Sequence, residues 1–213
     1  ALNVDIPAPL LSGAGRHVLA WQARAPMLAP EKRLPGVETA ARLGVFSGAA
    51  LVDYYAGLDG NEAAPEGFQE RANAIRLAYG APDAADRIEA MRSLWGGDGH
   101  RNLLAMLALS RAAAALPVTE VDGADFSSLI AAMLSGGYDV SAARWARVSN
   151  ALAADEGLDG WAMLAVGAPT MVVDMPVDRL RDYVGQDGVR GEMLLAGLIA
   201  LDPIMADVLQ MHL

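Results

Sequence analysis

Apolar residues recur along most of this chain at helical spacing, and glycine, proline or aspartate interrupts each run. Phe126, Leu129, Ile130, Met133 and Leu134 fall at i, i+3, i+4, i+7 and i+8 before Gly136-Gly137. Phe68, Ala72, Ile75 and Tyr79 do the same before Gly80-Ala81-Pro82, and Ile88, Met91 and Trp95 before Gly96-Gly97. Each spacing places one apolar stripe per helix against a shared core.

The punctuation sets the expected elements. Pro7 and Pro9 delay the first helix to about 10–25. Pro26–Pro35 reads as a loop, and a second helix starts near Val37 and breaks at Gly44. Ser47 caps a helix through Leu58 whose apolar face holds Leu51, Tyr54, Tyr55 and Leu58. Asp59-Gly60-Asn61 is a turn. Helices then follow over 65–79 with Pro65 in the first turn, over 84–95 with Asp83 as cap, and over 99–115 with Asp98 as cap. Pro117–Gly123 is a loop, too short for a domain linker. Helices over 124–135, 139–154 (cap Asp139) and 159–167 (cap Asp159) come next, then an extended loop over Thr170–Asp174. Helices over 176–184, 188–201 and 203–213 end the chain. The expected fold is all-α: about eleven short antiparallel helices in one domain spanning residues 1–213, as an irregular α-solenoid or a multi-helix bundle. The alternative is a fragment of a longer helical-repeat protein.

Short words recur. Gly-Leu-Asp-Gly occupies 57–60 and 157–160, and Gly-Ala-Pro occupies 80–82 and 167–169. The segment Leu129–Trp145 resembles the helix–turn–helix of tetratricopeptide-like repeats, with small residues at the turn and Ala and an aromatic on the returning helix. The resemblance covers one hairpin, and no constant period runs through the chain. It implies a helical-repeat scaffold. Chance recurrence of Ala, Gly and Asp words in a biased composition is the competing explanation.

Composition narrows the function classes. The 213 residues suffice for a sizeable core, and 54% hydrophobic against 20% charged residues excludes disorder. Three threonines and 6% aromatics favour helix over sheet. A net charge of −10 repels a phosphate backbone and argues against nucleic-acid partners. The absence of cysteine excludes disulfides, thiolate nucleophiles and Cys-bound metals. The longest uncharged run, 160–173, contains Gly167 and Pro169 and is too short to span a bilayer. Lys32 stands alone against 15 arginines, which suggests the codon bias of a high-GC bacterium. Ala1 in place of Met points either to a removed signal peptide, and so to a periplasmic or secreted protein, or to a segment of a longer chain.

Candidate chemistry is sparse. Trp95, Asp98, His100 and Arg101 form the best candidate ligand loop: an acid, an imidazole and a guanidinium at an expected helix N-terminus. A glycine stop, an Asp98 cap and a solvated His–Arg pair explain the same residues without a ligand. His17, His100 and His212 lie in three separate segments without metal-ligand spacing, so no metal site is expected. Gly13-Ala-Gly15 lacks the third glycine and the preceding strand of a dinucleotide loop. No serine has a Gly-x-Ser-x-Gly setting. Acid clusters at Asp59/Glu62, Asp122/Asp125 and Asp155/Glu156/Asp159 lack calcium-loop spacing. No catalytic residue and no cofactor is therefore assigned. Trp21, Trp95, Trp145 and Trp161 sit on apolar faces and are expected in the core. The last helix, 203–213, has little polar face.

These observations favour a non-enzymatic scaffold that binds a protein or peptide partner, with Tyr54, Tyr55, Trp145, Met205 and Leu209 as candidate contact residues. An all-α enzyme or small-molecule binder using the 95–101 loop is the first alternative. A structural subunit of an envelope assembly is the second.

Overall fold

Glycine, proline and cap residues divide the apolar runs into separate helices, and the computed structural model describes residues 10, 13–60, 66–95 and 102–201 of the chain. Among the described residues there are twelve helices and no strand: α1 Arg16–Arg24, α2 Pro30–Arg42, α3 Gly48–Ala56, α4 Glu66–Gly80, α5 Ala84–Arg92, α6 Leu103–Ala114, α7 Gly123–Ser135, α8 Asp139–Ala143, α9 Ala146–Ala151, α10 Leu158–Gly167, α11 Val177–Gln186 and α12 Gly188–Leu201. The all-α expectation holds. Two compact units form, Ala1–Leu109 and Ser110–Leu213, and the division falls within α6. The expected helix over 203–213 lies outside the described residues.

In the first unit, α1 packs on α2 and α4 pairs with α5. The helix expected over about 10–25 is interrupted: Leu10 is helical, residues 11–12 lie outside the described residues, and α1 begins at Arg16 after the extended Gly15. Its buried residues are Leu19 and Ala23, one turn apart. Trp21 stands about 200° round the helix from Leu19 and is 73% exposed, so it is not a core residue. Helix α2 also departs from expectation: it runs through Pro35, where a loop was expected. Pro30 suits the first turn, where its missing N–H has no intrahelical partner. Pro35 does break the local rule and forfeits a backbone bond. The helix persists because Val37, Ala40 and Ala41 are buried beyond it, and because Gly36 sits against α1, where a Cβ would lie 2.9 Å from Gln22 Oε1.

Ser47 caps α3 as expected, its Oγ accepting from the Ala50 N–H at 3.2 Å. The helix stops at Ala56, yet Leu58 remains buried. Helix α6 starts at Leu103, with Asn102 Oδ1 accepting from the N–H groups of Leu104 (3.2 Å) and Ala105 (3.4 Å). Asn102 thus does the capping that the sequence pattern assigned to Asp98. Asn and Asp cap equally well, so spacing alone does not choose between them.

In the second unit, α7 and α10 form the central pair, and α12 packs on both α10 and α11. Phe126, Leu129, Ile130 and Met133 of α7 are fully buried, as their spacing predicts. Asp122 caps α7 by accepting from the Asp125 N–H at 2.8 Å. The single helix expected over 139–154 is two, α8 and α9. Around the break, Trp145 N–H bonds Ala142 O and Val148 N–H bonds Trp145 O, both three residues back. These tighter turns re-phase the backbone as Trp145 enters the core. Asp139 and Asp159 are not caps. Each lies inside the first turn of its helix, and Tyr138 and Gly157 occupy the cap positions.

Candidate functional site

Helices α4 and α5 form a hairpin whose inner faces bury Ala72, Ile75, Ala78, Ile88 and Met91. Ala81-Pro82-Asp83 makes the turn, because Pro82 cannot continue α4. Arg87 Nε donates to Ala81 O at 2.6 Å and ties that turn to the start of α5. Tyr79 Oη donates to Ala108 O at 2.8 Å and anchors the end of α4.

A groove of about 770 Å³ runs along the outer side of this hairpin. From α4 it takes Glu70, Asn73, Ala74, Leu77 and Gly80, spaced at three and four residues. From α5 and its C-cap it takes Asp86, Glu89, Ala90 and Ser93 at the same spacing, with Ala81 and Pro82 closing one end. The floor is apolar and mostly small. The rim is charged. Arg76 is committed at the rim: its Nε lies 3.4 Å from Asp59 Oδ2, and its Nη2 donates to Asn73 Oδ1 at 2.6 Å. Glu89 pairs with Arg92 one turn along α5. Glu70 and Asp86 make no ion pair among the described residues.

The second unit has a cleft of similar volume, about 770 Å³, between the extended Val118–Val121 segment and α9. Arg147 Nη2 donates to Val118 O at 2.9 Å and braces one wall. The main electrostatic feature of this unit is internal. Arg179 is only 8% exposed. Its Nη1 and Nη2 donate to the carbonyls of Ser149 (3.3 Å) and Glu156 (3.1 Å), and its guanidinium lies 5.2 Å from the Trp161 ring centroid. Burial lowers its pKa, since desolvation disfavours the charged form. Among the described residues, the buried Arg179 Nε, Ser149 Oγ and Trp145 Nε1 have no hydrogen-bond partner.

The sequence-predicted contact residues fall as follows. Tyr54 and Tyr55 are buried in the first unit, their rings edge-on at 6.0 Å. Tyr54 Oη donates to Pro30 O, and Arg33 lies over its ring at 5.5 Å. Tyr55 Oη accepts from Arg71 Nη1 at 3.3 Å, and Arg71 also bonds Glu38 Oε1 at 3.2 Å. Burial raises the Tyr55 pKa above the ordinary phenol value, outweighing the opposing pull of Arg71. Trp145 is fully buried in the second unit. Each of these three rings is packed inside the core of its own unit. Trp95 is buried as well, and its carbonyl accepts from the Asn102 N–H at 3.2 Å. Asp98, His100, Arg101, Met205 and Leu209 lie outside the described residues.

The groove residues carry a signal in the sequence. Glu70, Asn73, Ala74 and Leu77 form a second stripe on α4, offset from the Phe68–Ala72–Ile75–Tyr79 core stripe. Among the described residues, no three His, Asp or Glu side chains gather in a metal-holding arrangement, and no helix is long and apolar enough to cross a membrane. No protein-family model, curated protein or solved structure gives a significant match to this chain.

Proposed function

We propose that this chain is a non-enzymatic helical scaffold, built from hairpins in the manner of tetratricopeptide-like repeats, that holds a segment of a partner protein. The observation that supports this reading is the α4–α5 groove, with its apolar floor, charged rim and braced walls. Two antiparallel helices that part along one side offer a bed for a third helix or an extended peptide. Leu77, 39% exposed, is the largest apolar side chain on that bed. Such a patch, rimmed by polar groups, is a common form of interaction surface.

The test is capture of peptides from a displayed random library by the intact chain and by a Leu77→Arg variant. Leu77 is partly exposed, so the substitution leaves the core in place. Enrichment on the unaltered chain that the variant loses supports the groove. Equal enrichment on both chains, or none on either, overturns it.

A further inference from the structure

Building on the groove reading, we propose that its occupant is a cationic amphipathic helix: a partner segment with one apolar stripe and Lys or Arg on both flanks. The argument starts from which rim charges are already balanced. Arg76 is shared between Asp59 and Asn73, and Glu89 is paired with Arg92. Glu70 on one wall and Asp86 on the other are both exposed and lack ion-pair partners among the described residues. The groove therefore presents one uncompensated carboxylate on each side of an apolar floor. A ligand that buries its apolar face there and carries positive charge on both flanks complements the groove. One with acidic flanks meets like charge on both walls.

Floor and length fit a helix. Ala74, Ala81 and Ala90 are small, which lets a helical backbone approach closely, and Leu77 rises between them as a single knob. From Glu70 to Gly80 the α4 wall rises about 15 Å at about 1.5 Å per residue, so it faces about three turns of a docked helix. The net charge of −10 acts in the same direction at longer range, drawing cationic segments in and turning nucleic acid away.

The experiment extends the library selection. Peptides of about fifteen residues, long enough for one amphipathic face, are selected on the intact chain, sequenced and resynthesised. The expected pool carries net positive charge and apolar residues at i, i+3 or i+4, and i+7. For a selected peptide, Glu70→Gln with Asp86→Asn weakens binding about five- to tenfold, the sum of two exposed charge contacts. Raising salt from about 0.1 M to about 1 M gives a loss of similar size by screening. A neutral or acidic pool, or a double variant that binds unchanged, overturns the charge assignment and leaves the groove reading standing. Enrichment that Leu77→Arg does not diminish, or no enrichment at all, overturns both.

Discussion

The same four residues, Gly-Leu-Asp-Gly, do opposite work at 57–60 and at 157–160. In the first unit the word ends a helix. Gly57 is the C-cap of α3 in an ordinary right-handed conformation, and Gly60 has φ +73° with no atom of the described residues close to where a Cβ would lie. In the second unit the word begins a helix. Gly157 takes φ +62° as the N-cap of α10, and Gly160 lies inside that helix, where its N–H donates to Ser127 Oγ at 3.1 Å. The leucine is buried in both places. The aspartates differ: Asp59 meets one exposed arginine, whereas Asp159 accepts two bonds from Arg190 Nη1 (3.2 and 3.1 Å) and one from Tyr183 Oη (3.3 Å). A local word therefore carries conformational permission, and the packing around it decides how that permission is used.

Alanine substitutions sharpen the contrast most. Gly157→Ala combines a positive φ with a Cβ placed 2.8 Å from Phe126 Cδ1 and Leu152 Cδ1, and should cost about 3 kcal/mol or more. Gly57→Ala has φ −72° and only ordinary contacts, so it should be neutral or stabilising by up to about 1 kcal/mol. Urea denaturation of the two variants measures the gap, and equal effects would break the comparison.

The closing glycines come next. A Cβ at Gly160 would lie 2.5 Å from Phe126 Cε1 and 3.0 Å from the Ser127 Cα, so Gly160→Ala should cost about 2 kcal/mol through overpacking. Gly60→Ala meets no neighbour among the described residues and should cost about 1 kcal/mol through its backbone alone. Adding Phe126→Leu to both should recover part of the loss in the first case and none in the second. That double-mutant cycle separates contact from conformation.

The aspartates give a smaller difference. Asp159→Asn should cost about 1 kcal/mol by weakening the Arg190 and Tyr183 bonds in a partly buried site. Asp59→Asn should cost about 0.3 kcal/mol or less, since both partners of its pair are well exposed. Thermal melts of the two variants in low and high salt rank them.

The mildest effect appears at high pH, in the unit that carries the first word. Tyr55 has a raised pKa because burial disfavours its phenolate. Its folded form therefore holds a proton that the unfolded chain has released above pH about 10. The stabilisation is complete below that value and is lost as pH rises through the folded pKa. Tyr55→Phe should flatten that alkaline decline while leaving neutral-pH stability nearly unchanged, apart from the lost Arg71 contact.

The helices of the second unit were the more legible in the sequence. Phe126, Leu129, Ile130 and Met133 announce α7, and residues 188–201 give α12 its bounds, because apolar periodicity is set by which face is buried. Three features escaped because they depend on partners distant in sequence. Helix α2 survives Pro35 through its packing on α1. The break at Arg144-Trp145 has no glycine or proline to mark it. Trp21 has the same side chain as Trp145 but sits opposite the buried pair Leu19 and Ala23. The groove was half legible: its α4 stripe shows in the spacing, but which carboxylates remain unbalanced depends on where Arg76 and Arg92 fold.

The uneven wetting of the indoles has an optical consequence. Trp95, Trp145 and Trp161 are shielded while Trp21 is open to water, so the folded chain should emit as two populations. Iodide, which does not penetrate cores, should extinguish only the red-shifted fraction from Trp21. The emission that survives is a built-in gauge of the two interiors, readable without any label.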